Sequence, residues 1–248
     1  MIDYIETHIV DHCNLKCRGC SHFSCISDEY FKDLNEFKEE LRDLAEKEEV
    51  RTIRIMGGEP LLHPEWFYFL ETAKEIFPSA NVTLVTNGLL FNKIEPYIDR
   101  INELGLGVCL SDYQLDLKGR YILDRIHNKV IHGKGSLYNI SLDLNGNQDV
   151  MTSFYNCDLS QNKWYFFKNG RLFTCCIFAN IDIFKRHFGI DIDYDIDDVS
   201  IEVKSHTAEE IERFLTTPHK ACKYCNTIKR KQTYRKFETS KKEVSEWI

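Results

Sequence analysis

Short apolar runs alternate with amphipathic helical stretches between residues 5 and 144 of this 248-residue chain, and that alternation restricts the fold more than any other feature. It predicts an α/β domain in which a parallel sheet is wrapped by helices. A first strand is expected over 5–10. Leu34, Phe37, Leu41 and Leu44 then recur at helical spacing, with Asp33 and Glu36 placed as a capping box. A second strand over 52–56 is broken by Gly57-Gly58-Glu59-Pro60. Pro64 suits the first turn of a helix carrying Trp66, Phe69, Leu70, Ala73 and Phe77, and Pro78 stops it. A third strand over 82–85 runs into Thr86-Asn87-Gly88, Pro96 opens a helix that Gly105 ends, and a fourth strand follows over 107–111. A further helix is predicted over 114–126, and Ile140, Leu142 and Leu144 alternate as a strand.

The pattern changes after Asn145-Gly146-Asn147, a turn signal. Trp164-Tyr165-Phe166-Phe167 and Arg171-Leu172-Phe173-Thr174 flank Lys168-Asn169-Gly170, which predicts a hairpin. Thr207 and Glu210 form a second capping box, opening a helix that ends before Pro218. The expected organisation is a core domain over 1–150 and a small α+β domain over 151–248.

Composition removes several classes of function. The 32 Lys and Arg against 39 Asp and Glu leave a formal charge of −7, unlike the basic domain of a general nucleic-acid binder. No run approaches the ~18 apolar residues of a membrane span. The start, Met1-Ile2-Asp3-Tyr4-Ile5-Glu6, has neither the positive charge nor the apolar stretch of a signal peptide, so a cytoplasmic setting is expected. There the ten cysteines would be reduced, and tight clusters of reduced cysteines point to metal.

Cys13, Cys17 and Cys20 have the form C-x3-C-x2-C in the loop after the first strand. Three thiolates on one short loop can converge on a single inorganic centre and leave one metal position open, whereas structural zinc takes four protein ligands. With Gly57-Gly58-Glu59 after the second strand, this pattern resembles the radical S-adenosylmethionine (radical SAM) superfamily across the N-terminal part of the chain. The resemblance implies a partial (β/α) TIM-like barrel, a [4Fe–4S] cluster on Cys13, Cys17 and Cys20, and S-adenosyl-L-methionine (SAM) on the open iron. It implies that Gly57, Gly58 and Glu59 contact the amino group of SAM, and that Asn87 and Ser111 serve as its polar contacts farther along. The aromatic residue that this family carries before the third cysteine is Gly19 here, with His22 and Phe23 nearby.

Cys157, Cys175, Cys222 and Cys225 form a second set. Their order around the hairpin, a helix and a C-x2-C resembles the twitch domain, a shortened SPASM domain that holds one auxiliary [4Fe–4S] cluster. Cys176 competes with Cys175 for the ligand role, and a four-cysteine zinc site is the alternative. Cys25 reads as a loop thiol and Cys109 as a small core residue of a strand.

The resemblance implies a radical SAM oxidoreductase. The cluster reduces SAM, a 5′-deoxyadenosyl radical abstracts hydrogen from a small substrate, and the auxiliary cluster accepts an electron. The layout resembles the twitch-bearing 2-deoxy-scyllo-inosamine dehydrogenase branch of the superfamily. The leading reading is therefore oxidation of a secondary alcohol on a sugar, cyclitol or nucleotide-linked sugar, with a reductant such as flavodoxin or ferredoxin. The alternatives are a radical epimerase or another peptide- or sugar-modifying enzyme, with Cys109 or Cys176 as hydrogen donor, and a non-catalytic zinc-binding protein.

Overall fold

The protein is described by a computed structural model covering residues 1–133, 136–137, 140–231 and 235–248. In chain order its regular elements begin with β1 (Ile5–Val10), α1 (Leu34–Ala45), β2 (Thr52–Gly57), α2 (Trp66–Ile76), β3 (Asn81–Thr86), α3 (Ile98–Glu103) and β4 (Gly107–Ser111). Then come β5 (Asn128–His132), β6 (Ser136–Leu137), α4 (Val150–Tyr155), α5 (Asp158–Gln161), β7 (Tyr165–Lys168) and β8 (Arg171–Phe173). The last are α6 (Cys176–Phe188), β9 (Ser200–Glu202), α7 (Ala208–Leu215), α8 (Thr227–Lys231) and β10 (Arg235–Lys236).

One sheet of eight strands runs in the order β5-β4-β3-β2-β1-β7-β8-β9. From β5 to β7 every pairing is parallel, and β8 and β9 continue the sheet antiparallel. This is the mixed α/β architecture of a partial TIM-like barrel. Strand periodicity sorts the side chains. Ile5, Ile9, Ile53, Ile55, Val82, Leu84, Val108 and Leu110 enter a core shared with Phe37 and Leu41 of α1, Phe69 and Leu70 of α2 and Ile98 of α3. Tyr4, Glu6, His8, Arg54 and Cys109 alternate with those residues and so occupy the opposite face.

A second core joins Phe23, Ile26, Ile140 and Leu142 to Phe166, Ile177, Ile181, Phe184 and Trp247. Segments 1–150 and 151–248 therefore share a sheet and this second core, with β1 pairing β7 across the two.

Several local expectations hold. Asn169 and Gly170 both take left-handed backbone (φ 52° and 70°), as a two-residue hairpin turn of the favoured twist requires. Thr207 and Glu210 complete both halves of their capping box. Asp33 caps α1 by accepting from the N–H groups of Asn35 and Glu36, but Glu36 pairs with Lys32 instead of completing a box.

Others differ. Segment 114–126 holds only a 3₁₀ turn over Arg120–Arg125, entered through Gly119 in left-handed conformation (φ 88°). The stretch 140–144 makes no strand; Leu142 instead donates its N–H to the Trp247 carbonyl at 2.6 Å and bridges Cys225. The fifth parallel strand is β5, whose five residues are all exposed, so no apolar alternation announces it. Helix α6 also went unanticipated; it ends at Gly189 in left-handed conformation. No helix among the described residues is long and apolar enough to cross a membrane.

Candidate active site and a second thiol site

In parallel sheets, ligands gather at the carboxyl ends of the strands, where loops leave the scaffold. Here those ends bring together most of the residues singled out in the sequence. A cavity of about 130 Å³ is lined by Cys13, Cys17 and Cys20 from the loop after β1, Gly57 and Gly58 at the end of β2, Asn87 after β3 and Ser111 at the end of β4. A neighbouring recess of about 160 Å³ shares Cys17, Cys20 and Ser111 and extends to His132 at the end of β5. All ten cysteines are free of disulfides.

The cysteine loop is held from several sides. Cys13 Sγ accepts from the Leu15 N–H at 3.3 Å and from Asn87 Nδ2 at 3.6 Å. The backbone N–H groups of His22, Phe23 and Ser24 converge on Cys20, and the Tyr113 hydroxyl bonds Cys17. Burial pushes the Cys13 thiol up to about 12, with the charges of Glu59 and Cys20 adding to the rise. Burial likewise raises Cys17 and Cys20. These three sulfurs, close enough to disfavour one another as thiolates, suit a cationic inorganic core that would offset that repulsion.

Gly57 and Gly58 act on protein as well as on the cavity. The Gly58 N–H donates to the Val10 carbonyl at 2.8 Å. A Cβ on Gly57 would lie 2.1 Å from that carbonyl oxygen, and one on Gly58 would lie 2.0 Å from the oxygen of His12. Only glycine lets the end of β2 lie this close to the cysteine loop. Glu59 is fully buried and does not line the cavity. Its carboxylate accepts from Thr86 Oγ1 at 2.8 Å and from the N–H groups of Asn87 at 2.9 Å and Leu61 at 3.1 Å, and burial raises its pKa to about 7. Gly19 has φ 59°, a conformation unfavourable for an aromatic residue, which accounts for glycine before the third cysteine. Phe23 packs in the second core, and Tyr113 and His22 are the rings at the cavity.

Cys157, Cys175, Cys222 and Cys225 line a separate, mainly apolar cavity with Phe178, His219 and Arg230. Arg230 Nη2 lies 3.2 Å from Cys157 Sγ. Burial alone would raise that thiol, but the guanidinium outweighs it and lowers the pKa. Cys175 is the residue before α6; burial pushes its thiol up to about 12, against the weaker opposing influence of the Phe178 and Ile177 N–H groups. Four thiols converging beside a cation are a donor set for a fully ligated metal centre. Cys176, the next residue, does not line this cavity and lies beside Glu6 and His22. Cys25 and Cys109 are buried and line neither site.

A polar network crosses the face of β1 that lies away from α1, α2 and α3 and reaches Asn180 of α6. Lys168 Nζ bonds Asn180 Oδ1 at 2.9 Å and Asp11 at 3.2 Å, Asp11 Oδ1 meets His8 Nδ1 at 2.9 Å, and His8 Nε2 meets His22 Nδ1 at 2.7 Å. Burial works against the Asp11 charge, but His8 and Lys168 together hold its carboxyl far below the usual range. The motif reading missed this network. The signal was polar Tyr4, Glu6 and His8 alternating with apolar residues in a strand destined for a parallel sheet.

The family described as Radical SAM superfamily matches residues 7–140. Among curated proteins, GTP 3′,8-cyclase of Nautilia profundicola is 24% identical over 163 residues, covering 64% of this chain and 50% of that protein. GTP 3′,8-cyclase of Chlorobaculum tepidum is 34% identical over 116 residues, covering 46% of this chain and 34% of that protein. The chain thus spans half or less of these two relatives. Among solved structures, BtrN in complex with AdoMet and 2-DOIA is similar in fold, with a TM-score of 0.54 and 20% identity over 91% of this chain and 93% of that one.

Proposed function

The chain belongs to the radical SAM superfamily, and from that premise we propose that it oxidises a secondary alcohol of a sugar, cyclitol or nucleotide-linked sugar to a ketone. Its cofactors are a [4Fe–4S] cluster and SAM. Cys13, Cys17 and Cys20 would hold the first cluster, and Cys157, Cys175, Cys222 and Cys225 the auxiliary one. When loaded, the first site with SAM supplies a 5′-deoxyadenosyl radical for hydrogen abstraction, and the auxiliary cluster supplies an acceptor for the second electron of the oxidation.

The protein's own residues prepare the space for that chemistry. Gly57 and Gly58 seat the cysteine loop against the ends of the strands. Asn87 and Ser111 offer polar groups to SAM along the cavity wall. Glu59 fixes Asn87 through its N–H and belongs to the SAM side of the cleft as a positioning residue. On the same face of the sheet, Arg54 of β2 offers guanidinium N–H groups suited to a hydroxyl-rich small molecule.

The observation that carries the reading is the pair of thiol sites. One has three sulfurs beside a cavity of about 130 Å³, and the other has four sulfurs around only about 30 Å³. An open site suits a cofactor ligand, and a fully ligated site suits electron transfer. BtrN, solved with AdoMet and 2-DOIA, has a similar fold over nearly its whole length. The cyclases are named for a different reaction, so GTP belongs in the test.

Anaerobically reconstituted protein should carry about eight irons per chain. With SAM and dithionite, or reduced flavodoxin or ferredoxin, it should release 5′-deoxyadenosine. A panel of sugars and cyclitols should include one that yields ketone in equal amount. Full iron loading with no 5′-deoxyadenosine would end the radical reading. Turnover of GTP with none of the alcohols oxidised would end the dehydrogenase reading.

A further inference from the structure

Glu6, His22 and Cys176 are brought together by a strand, the cysteine loop and a helix, and none of them is among the seven cysteines of the two thiol sites, although His22 also borders the first cavity. One ligand atom from each lies within 4.8 Å of the others. Glu6 comes from the polar face of β1, His22 from the cysteine loop and Cys176 from the first turn of α6. We propose that these three residues bind a zinc-type divalent cation beside the cleft.

The hydrogen-bond pattern fixes the state of the imidazole. Asp11, held ionised by Lys168, accepts from His8 Nδ1. His8 Nε2 then carries a lone pair, and at 2.7 Å it accepts from His22 Nδ1. His22 Nε2 is left unprotonated and directed at Glu6 and Cys176. Metal-bound histidines are ordinarily oriented in this way, by a partner on the other ring nitrogen.

Distance and charge agree. His22 Nε2 lies 3.9 Å from Glu6 Oε2, too long for a hydrogen bond. Zinc bonded at ~2.0–2.3 Å in a tetrahedron separates its ligand atoms by about 3.3–3.8 Å, close to that span. Tyr4 anchors the other Glu6 oxygen at 2.5 Å. A carboxylate, a thiolate and a neutral imidazole around a dication sum to zero charge, the arrangement a nearly buried site favours. Three protein ligands leave a fourth position for water or another oxygen ligand. A substrate hydroxyl there would rest on the alcohol-oxidation reading, whereas the cation site does not.

The test uses reconstituted protein carrying its iron, stripped of loose metal with EDTA, desalted and titrated with zinc chloride. Bound zinc and iron are counted by elemental analysis, and the zinc environment is read by X-ray absorption. The expected result is one zinc per chain in addition to the iron, with a single sulfur at ~2.3 Å and nitrogen or oxygen at ~2.0–2.2 Å. Cys176→Ser and Glu6→Gln should each weaken zinc binding at least tenfold with iron unchanged. His8→Phe should weaken it about 10–100-fold through lost orientation of His22. Urea midpoints separate these losses from unfolding. No zinc beyond the iron, a four-sulfur shell, or unchanged affinity in Cys176→Ser would overturn the site. Iron content reports separately on the two clusters.

Discussion

At the scale of single residues, Gly58 and Glu59 carry the clearest consequences. In Gly58→Ala the new Cβ meets backbone, 2.0 Å from the His12 oxygen and 2.3 Å from its carbon, so no flexible side chain can yield. A loss of at least about 2 kcal/mol of stability is expected, read as a lower urea midpoint. Iron content should fall toward half as the first site loosens. Glu59 has a folded pKa near 7 against an ordinary 4.5, raised by burial. Its contribution to stability is fully present below pH 4.5 and is lost as pH rises through 7. The shift corresponds to on the order of 3 kcal/mol. Glu59→Gln should therefore flatten the decline in unfolding free energy between those two pH values; an unchanged slope would contradict the assignment. The Gly-Gly-Glu motif was legible in the sequence. Its use was not, because the close approach of His12 and the two donors that Thr86 and Asn87 turn on Glu59 arise from strands that meet only in the folded sheet.

At the scale of elements, the C-terminal segment is tied to the cysteine loop. The Arg18 N–H donates to the Glu238 carbonyl at 2.9 Å, the Ser240 N–H to the Lys16 carbonyl at 2.9 Å, and Trp247 Nε1 to the Cys20 carbonyl at 2.9 Å. Trp247 is fully buried against Phe23, Phe184 and Phe188. Trp247→Phe should cost about 1–2 kcal/mol through lost volume and one hydrogen bond. It should also speed the loss of iron from the first site to a chelator; an unchanged rate would mean that the tie does not steady the loop. At the start of α6 the two neighbouring cysteines should separate cleanly. Cys175→Ala should remove the auxiliary cluster, about half the iron, while Cys176→Ala should keep all of it. Equal losses would contradict the division. The hairpin before this helix was readable because its Asn-Gly turn is a local signal. Strand β5 was not, because an edge strand exposed along its length needs no apolar pattern.

At the scale of the whole molecule, β7 pairs with β1, and the second core draws on both halves of the chain. Unfolding should therefore be one cooperative event. Trp66 lies in the first core, Trp164 beside Tyr4 near β7, and Trp247 in the second core. Urea curves from tryptophan fluorescence and far-ultraviolet circular dichroism should superimpose. Two separated transitions would show instead that 151–248 unfolds on its own.

The sequence by itself determined the alternating α/β pattern, the hairpin, the two thiol groups and the glycine turn that marks the family. Each is written in spacing over a few residues or in the choice of residue at a turn. Only the tertiary structure decided that Cys175 faces Cys157, Cys222 and Cys225 while Cys176 faces Glu6 and His22. It also decided that Asp11, His8 and His22 form one hydrogen-bonded line. Neighbours in the chain point apart when a strand passes into a helix, and residues far apart in the chain meet only through strand order, which local spacing does not encode.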